Sequence, residues 1–358
     1  MRVHTLVAVS AILPGLLGTP TPARAGTIHV PADVATIQAA LAAAQANDEV
    51  EIKSGVYHEA VAATVAANVV IRAKGNVRID ASGLGATAFS VTGTDLQILG
   101  LKVVASDGNG FDVAGSNVQV TGCQASGVNG RGFVSTGTDV TFTKCRVKSS
   151  GSDGLVVTSG TNVTFTDCKV IAAGAAGIAV TGGLDVSVER AQIVRAGGSG
   201  ASIAASNVTI DASKFVAPGG TGIREETGSS LSSNTYTNDR ITKAGGTGFD
   251  VRSSGVVVTA NTVAKPGGTG FDIESDSAQV QGNKVSKAGG NGIIVGGDNG
   301  TYTGNKSLGS RGNGFRLDGA GNVLSQNVGK GSLGLDLRDN SGGANTVQPD
   351  NKFKTTGP

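Results

Sequence analysis

From about residue 60 onward the chain is written in short runs of alternating apolar and polar residues. Asn117-Val118-Gln119-Val120-Thr121 and Asn162-Val163-Thr164-Phe165-Thr166 place an apolar side chain at every second position, the period of a half-buried strand. A stricter pattern recurs beside them: a Gly, a large apolar residue, any residue, and a second apolar residue. Gly245-Gly246-Thr247-Gly248-Phe249-Asp250-Val251-Arg252 returns as Gly267-Gly268-Thr269-Gly270-Phe271-Asp272-Ile273-Glu274. The Gly of this kernel falls at Gly110, Gly132, Gly154, Gly177, Gly200, Gly222, Gly248, Gly270, Gly292, Gly314 and Gly334, and Ala88 fits one step earlier. A brief third run, such as Lys284-Val285-Ser286, completes a unit of three strands, with Gly pairs supplying positive φ at the bends. Units this small cannot bury a core alone, so they must stack.

The first residues break this pattern. Arg2 and His4 precede an apolar run from Leu6 to Leu17, and Ala23-Arg24-Ala25 is a small-x-small site, so residues 1–25 read as a secretory signal peptide. That predicts a secreted or periplasmic protein, and the run is too short for a membrane span. Residues 26–358 then form one domain. Thr27 to Val30 reads as a strand. Thr36 caps a helix over Ile37 to Ala44 whose Ile37, Ala40, Leu41 and Ala44 share a face, and this helix covers the open end of the stack. The region 26–60 is thus an N-terminal cap, and the polar tail 345–358 closes the far end.

Composition narrows the class. Gly accounts for 57 of 358 residues, aromatics for 4%, and Trp is absent, without the strict triplet of collagen. The 29 basic and 27 acidic residues nearly cancel, so the net charge implies no polyanion partner and no nucleic acid.

Between the second and third strands a small polar residue repeats: Cys123, Cys145, Cys168, Ala191, Ser213, Asn234, Asn261, Asn283, Asn305 and Asn327. Stacked at ~4.8 Å, these form one inward row whose Asn side chains satisfy buried backbone groups. Neighbouring cysteines in such a row lie within bridging range. A disulfide from Cys145 to Cys123 or to Cys168 is one reading; a buried row of free thiols is the other.

Coils with an Asn row after the second strand resemble the right-handed parallel β-helix of the pectin lyase-like superfamily. Thr36-Ile37-Gln38-Ala39-Ala40 and Gly55-Val56-Tyr57-His58-Glu59 resemble the N-terminal cap of its pectinesterase-like and NosD-like members. The resemblance implies an all-β right-handed parallel β-helix of about twelve coils with an N-terminal capping helix. It leaves activity open, because that superfamily holds lyases, hydrolases, esterases, epimerases and non-catalytic rods. Its implied site is the outer face of the kernel strand.

On that face the second half of the chain is charged. The third kernel position brings Arg224, Asp250, Asp272, Arg316 and Asp336, and the fifth brings Glu226, Arg252, Glu274, Asp318 and Arg338. Asp250 and Asp272, ~5 Å apart on adjacent strands, suit a catalytic acid/base pair, since like charges that close split their pKa values. The other charges suit ligand binding, or a ladder in which Arg224 pairs with Asp250, Arg252 with Glu274, Arg316 with Asp336 and Asp318 with Arg338. Calcium between Asp250 and Asp272 is a further option; no other cofactor is implied, and no four-ligand metal site is present in the sequence. The Arg-x-Pro-x-x-Arg, Asp-Asp with His-Gly, and Leu-Gly-Arg-Pro-Trp motifs of the resembled enzymes are absent, and the coils carry no His to act as a base. The expectation is a non-catalytic solenoid that binds a polysaccharide or cell-surface partner. The alternative is a polysaccharide lyase or glycoside hydrolase using Asp250 and Asp272.

Overall fold

Strands of successive units pair in parallel and in register, in three rows. The computed structural model describes residues 25–226 and 231–358; the signal-peptide reading falls almost wholly outside them. The kernel row runs from Val61–Thr64 to Thr356–Gly357 through thirteen pairings. The second row starts earlier, at Thr27–Val30, and fourteen pairings carry it to Thr346–Val347. A third row runs from Gly55–Tyr57 to Lys352–Phe353.

Fifteen strands in the second row make about fifteen turns, not twelve. The expected count followed the kernel Gly, but the first coils pair without it. Thr27–Val30 and Glu49–Tyr57 are ladder strands rather than parts of a separate cap, and the tail 345–358 supplies the last strand of each row.

The helix Ile37–Ala43 closes the start of the kernel row. Thr36 Oγ1 accepts from Ala39 N at 3.1 Å, and the Glu59 carboxylate accepts from Ile37 N and Gln38 N, both at 2.9 Å, which satisfies the free amides of the first turn. Gln38 then stands in for the missing strand: its Oε1 accepts from Ala62 N at 2.7 Å and its Nε2 donates to Ala62 O at 3.1 Å. An edge that would otherwise offer free backbone is thereby blunted.

Inside, alternate strand residues stack on their equivalents one coil away. Phe111 lies on Phe133 at 4.7 Å and Phe249 on Phe271 at 5.0 Å between ring centroids, near-parallel rings that also exclude water. The kernel Gly has a steric cause: a Cβ at Gly270 would run into the Val285 side chain and the Gly292 carbonyl.

The inward polar row is present, with one substitution in its membership. Ser213 N donates to Asp239 Oδ1, Asp239 N to Asn261 Oδ1, Asn261 N to Asn283 Oδ1, and the chain of bonds continues through Asn305 and Asn327 to Asn351. Asp239 therefore holds the place expected for Asn234, which begins a different row by accepting from Val208 N. The four extra residues of the long coil fall between Glu226 and Ser232, because Glu226 N still reaches Ile203 O while Thr209 pairs with Thr235. The row shifts by four only after that point.

The cysteines are three free, buried thiols, so no disulfide joins Cys145 to Cys123 or Cys168. Each thiol donates to a second-row carbonyl of the preceding coil: Cys123 to Ile98, Cys145 to Val120, Cys168 to Phe142, at 3.4–3.7 Å. Asn261 Nδ2 makes the same bond to Tyr236 O at 2.8 Å. The thiols thus take over the amide's donor role, and burial pushes Cys123 up to about 12.

Candidate functional site

On the outer face of the kernel row each strand pairs in register with the next, so equivalent positions line up along the rod. Its first half is apolar at the third position: Val134, Val156, Ala179 and the neighbouring Ala176 form a small buried cluster outside the main core. Asp112 beside them is held by Thr87 Oγ1 and Asn109 Nδ2, both at 2.9 Å. A shallow hollow of about 350 Å³ opens there, between Asp112, Arg131, Val134 and Thr158.

The second half is charged. Register brings Arg224 beside Asp250 and Asp250 beside Asp272. The ion pairs, however, run along each strand rather than between coils. Arg224 reaches Glu226 at 3.5 Å, Arg252 reaches Asp250 at 3.0 Å, and Arg316 Nε reaches Asp318 at 2.7 Å. Third and fifth positions share a face, and the long Arg side chain leans along its own strand, so it meets its in-strand carboxylate before the neighbour's. Between coils on this face, Ser202 Oγ donates to Glu226 Oε1 at 2.6 Å.

At the last coil the expected register is off by two. Arg316 pairs with Arg338, and Gly314 with Asp336. The 22-residue step is kept, since 336 − 314 = 22, and Gly334 is not the kernel Gly. Asp336 is buried and stands off the outer face; Arg338 occupies the third position, and Asn340 Nδ2 donates to Asp318 Oδ1 at 2.6 Å. The pairs Arg316–Asp336 and Asp318–Arg338 therefore do not form. The cause is inward packing: Leu337, not Leu335, stacks on Phe315.

The centre of the face is Asp250 with Asp272. Each keeps a buried Oδ1 without a hydrogen-bond partner. Arg252 Nη2 is close enough to Asp250 Oδ1 for an ion pair but is not aligned to donate to it. Burial, followed by the charges of Glu274 and Asp250, pushes the Asp272 carboxyl up to about 6 against the pull of Arg252 and Arg316. A carboxyl in that range can give or take a proton near neutral pH.

Sequence reading missed the support beneath this face. Glu225 points inward, where Val251 and Ile273 stand in the next coils. Its carboxylate accepts from Asn234 Nδ2 at 2.8 Å, Tyr236 OH at 2.7 Å, Ser253 Oγ at 2.8 Å, and the backbone N–H groups of Arg252 and Ser253. It anchors the strand end that carries Arg252. The signal was available: a Glu at an inward position of the kernel alternation.

The chain matches the family described as "Right handed beta helix region" over residues 54–215, 109–263 and 229–355. No curated protein sequence matches it. Among solved structures it is similar to the Azotobacter vinelandii mannuronan C-5 epimerase AlgE4 A-module, at 15% identity and a TM-score of 0.62, over 87% of this chain and 94% of that one. A mannuronic acid specific polysaccharide family 6 lyase from human gut microbiota superposes with a TM-score of 0.59 at 11% identity, over 90% and 82% of the two chains. Pectate lyase Pel9A superposes with a TM-score of 0.51 at 18% identity, over 73% and 72%. At these identities the likeness is one of fold.

Proposed function

Because the chain belongs to the right-handed β-helix region family, we propose that it is a polysaccharide-binding solenoid acting outside the cytoplasm, with the kernel-row face as its binding surface. The observation that carries this reading is the pair of half-buried carboxylates, Asp250 and Asp272, set side by side on adjacent strands of the outer face. Half-buried carboxylates on an open face are hydrogen-bond acceptors, and a sugar hydroxyl is a donor of the right kind. Arg252, Glu274 and Arg316 surround the pair, with Arg224, Glu226, Asp318 and Arg338 extending the polar strip. A chain laid along the rod would cross this strip and the hollow near Asp112. The solved relatives in fold carry names of enzymes that act on polysaccharides, which supports the ligand class. The outward N-terminal pattern supports the location.

One observation favours a second reading. The raised Asp272 carboxyl beside Asp250 is what a general acid with a neighbouring carboxylate needs, so cleavage by hydrolysis or elimination belongs in the same test.

Titration of the purified protein with neutral and uronate polysaccharides, with and without calcium, tests both. Binding of at least one polymer, weakened about tenfold or more in the Asp250→Asn/Asp272→Asn double variant, is the expected result. New reducing ends or unsaturated products, lost in the same variant, would establish the enzyme instead. Calcium-dependent binding would place the ion between the two carboxylates. Silence across the panel would refute the binding surface.

A further inference from the structure

The outer face of the third row carries a file of cations. Strand pairing aligns thirteen residues at its first outward position from Arg78 to Lys352; nine are Lys or Arg, two Gln, one Thr and one Val, and none is acidic. Arg146 stacks beside Lys169, Lys214 beside Arg240, and Lys284 beside Lys306. Among the described residues none of the nine enters an ion pair.

Three carboxylates of the neighbouring second row and its following turn are engaged elsewhere. Asp167 and Glu189 are held by Arg190 at 2.9 and 3.3 Å. Asp211 accepts from Thr237 Oγ1 at 2.6 Å and Asn238 Nδ2 at 3.0 Å. Along the adjoining corner a hollow of about 470 Å³ is lined by three more cations, Lys265, Lys287 and Arg311. The near-zero net charge of the chain therefore hides a segregated, strongly positive side.

Like charges on directly paired strands destabilise a sheet, and here they repeat at a spacing of ~4.8 Å. Twelve such steps make a straight positive strip about 58 Å long. We propose that this strip binds a linear anionic polysaccharide, laid along the rod axis and distinct from the kernel-row face. The geometry favours that polyanion over others. Six of the nine cations are Lys, a hydrated point charge suited to carboxylate or sulfate without the bidentate fork of Arg. Among the described residues no aromatic side chain is one of the large exposed apolar groups, so the strip offers bases no row of rings to stack on. The face is a row of paired parallel strands, with no described helix or projecting ribbon to enter a duplex groove.

The test uses polygalacturonate as probe, with dextran, single-stranded DNA and phosphatidylglycerol vesicles as comparisons. Polygalacturonate should bind, with affinity falling steeply as salt rises, and dextran should not compete on this face. The variants Lys284→Glu/Lys306→Glu and Lys214→Glu/Arg240→Glu should each weaken polygalacturonate binding by roughly tenfold or more. The same reversals should hold or raise the melting temperature, because they relieve like-charge contacts; that separates lost binding from lost folding. Unchanged binding in both stably folded double variants, or tighter binding of DNA or vesicles than of polygalacturonate, would overturn the proposal.

Discussion

Asp239→Asn should stabilise the protein, and the gain should grow with pH. Asp239 sits in the inward polar row, where its Oδ1 accepts from Ser213 N at 2.8 Å and its Oδ2 is buried without a partner. In the coils that follow, the atom at that place is an amide nitrogen. It donates to a strand carbonyl at 2.7–2.8 Å and to the next Asn Oδ1 at 3.0–3.1 Å. An ionised Asp239 would set acceptor against acceptor, and burial accordingly pushes its carboxyl well above the usual carboxylate range. The folded state then holds a proton that the unfolded chain has released, so stability falls as pH rises from the unfolded value of 3.8 toward the folded one. Asn supplies the donor at every pH. Relief of the unsatisfied buried acceptor is worth about 1–3 kcal/mol. With unfolding entropy near ~2.1 cal/mol/K per residue, that is a rise in Tm of about 1.5–4 °C for a chain of this size. Thermal unfolding followed by circular dichroism across acidic to neutral pH would read it. A variant no more stable than the parent at neutral pH, or a difference that does not change with pH, would refute the reasoning.

Phe271→Ala removes a fully buried ring stacked at 5.0 Å on Phe249, and should cost roughly 3–5 kcal/mol in urea unfolding; an unshifted midpoint would mean the ring adds nothing to the core. Asp272, raised from 3.8 to about 6, should make stability decline as pH rises through that window. Asp272→Asn should flatten the decline, by an amount reduced by solvent screening because the group is partly exposed; an identical pH profile in the variant would contradict the assignment. The three buried thiols should resist a thiol reagent in the native protein and all react in denaturant without reductant; fewer than three reacting after unfolding would mean a disulfide.

Much of the architecture was legible because a stack obeys one rule at every coil. Phe249 and Phe271, or Asn283 and Asn305, meet since each lies one period from the other. Errors arose where the marker used for alignment was not the residue that packs. At the last coil Gly334 looked like the kernel Gly, yet Leu337 fills the inward column and carries Asp336 into the Gly place. In the long coil Asn234 looked like the ladder member, but the four extra residues precede it and Asp239 takes the bond. The first coils carry no such marker: strands such as Glu49–Tyr57 pair without a kernel Gly.

Taken by itself, the order of residues determined a parallel solenoid, its period, its inward aromatic and polar rows and the charged half of the kernel face. Each of these follows from strand alternation and close packing repeated at a fixed interval. Only the tertiary structure decided which charges meet. Arg252 turns to Asp250 in its own strand, Arg338 to Asn340, and the Oδ1 atoms of Asp250 and Asp272 are left buried without a hydrogen bond. It also gathered Arg146, Lys169, Lys214 and Arg240 into one positive file, which a nearly neutral composition conceals. The physical reason is that backbone pairing and inward packing set the register first, and long polar side chains then take whichever partner that register leaves within reach.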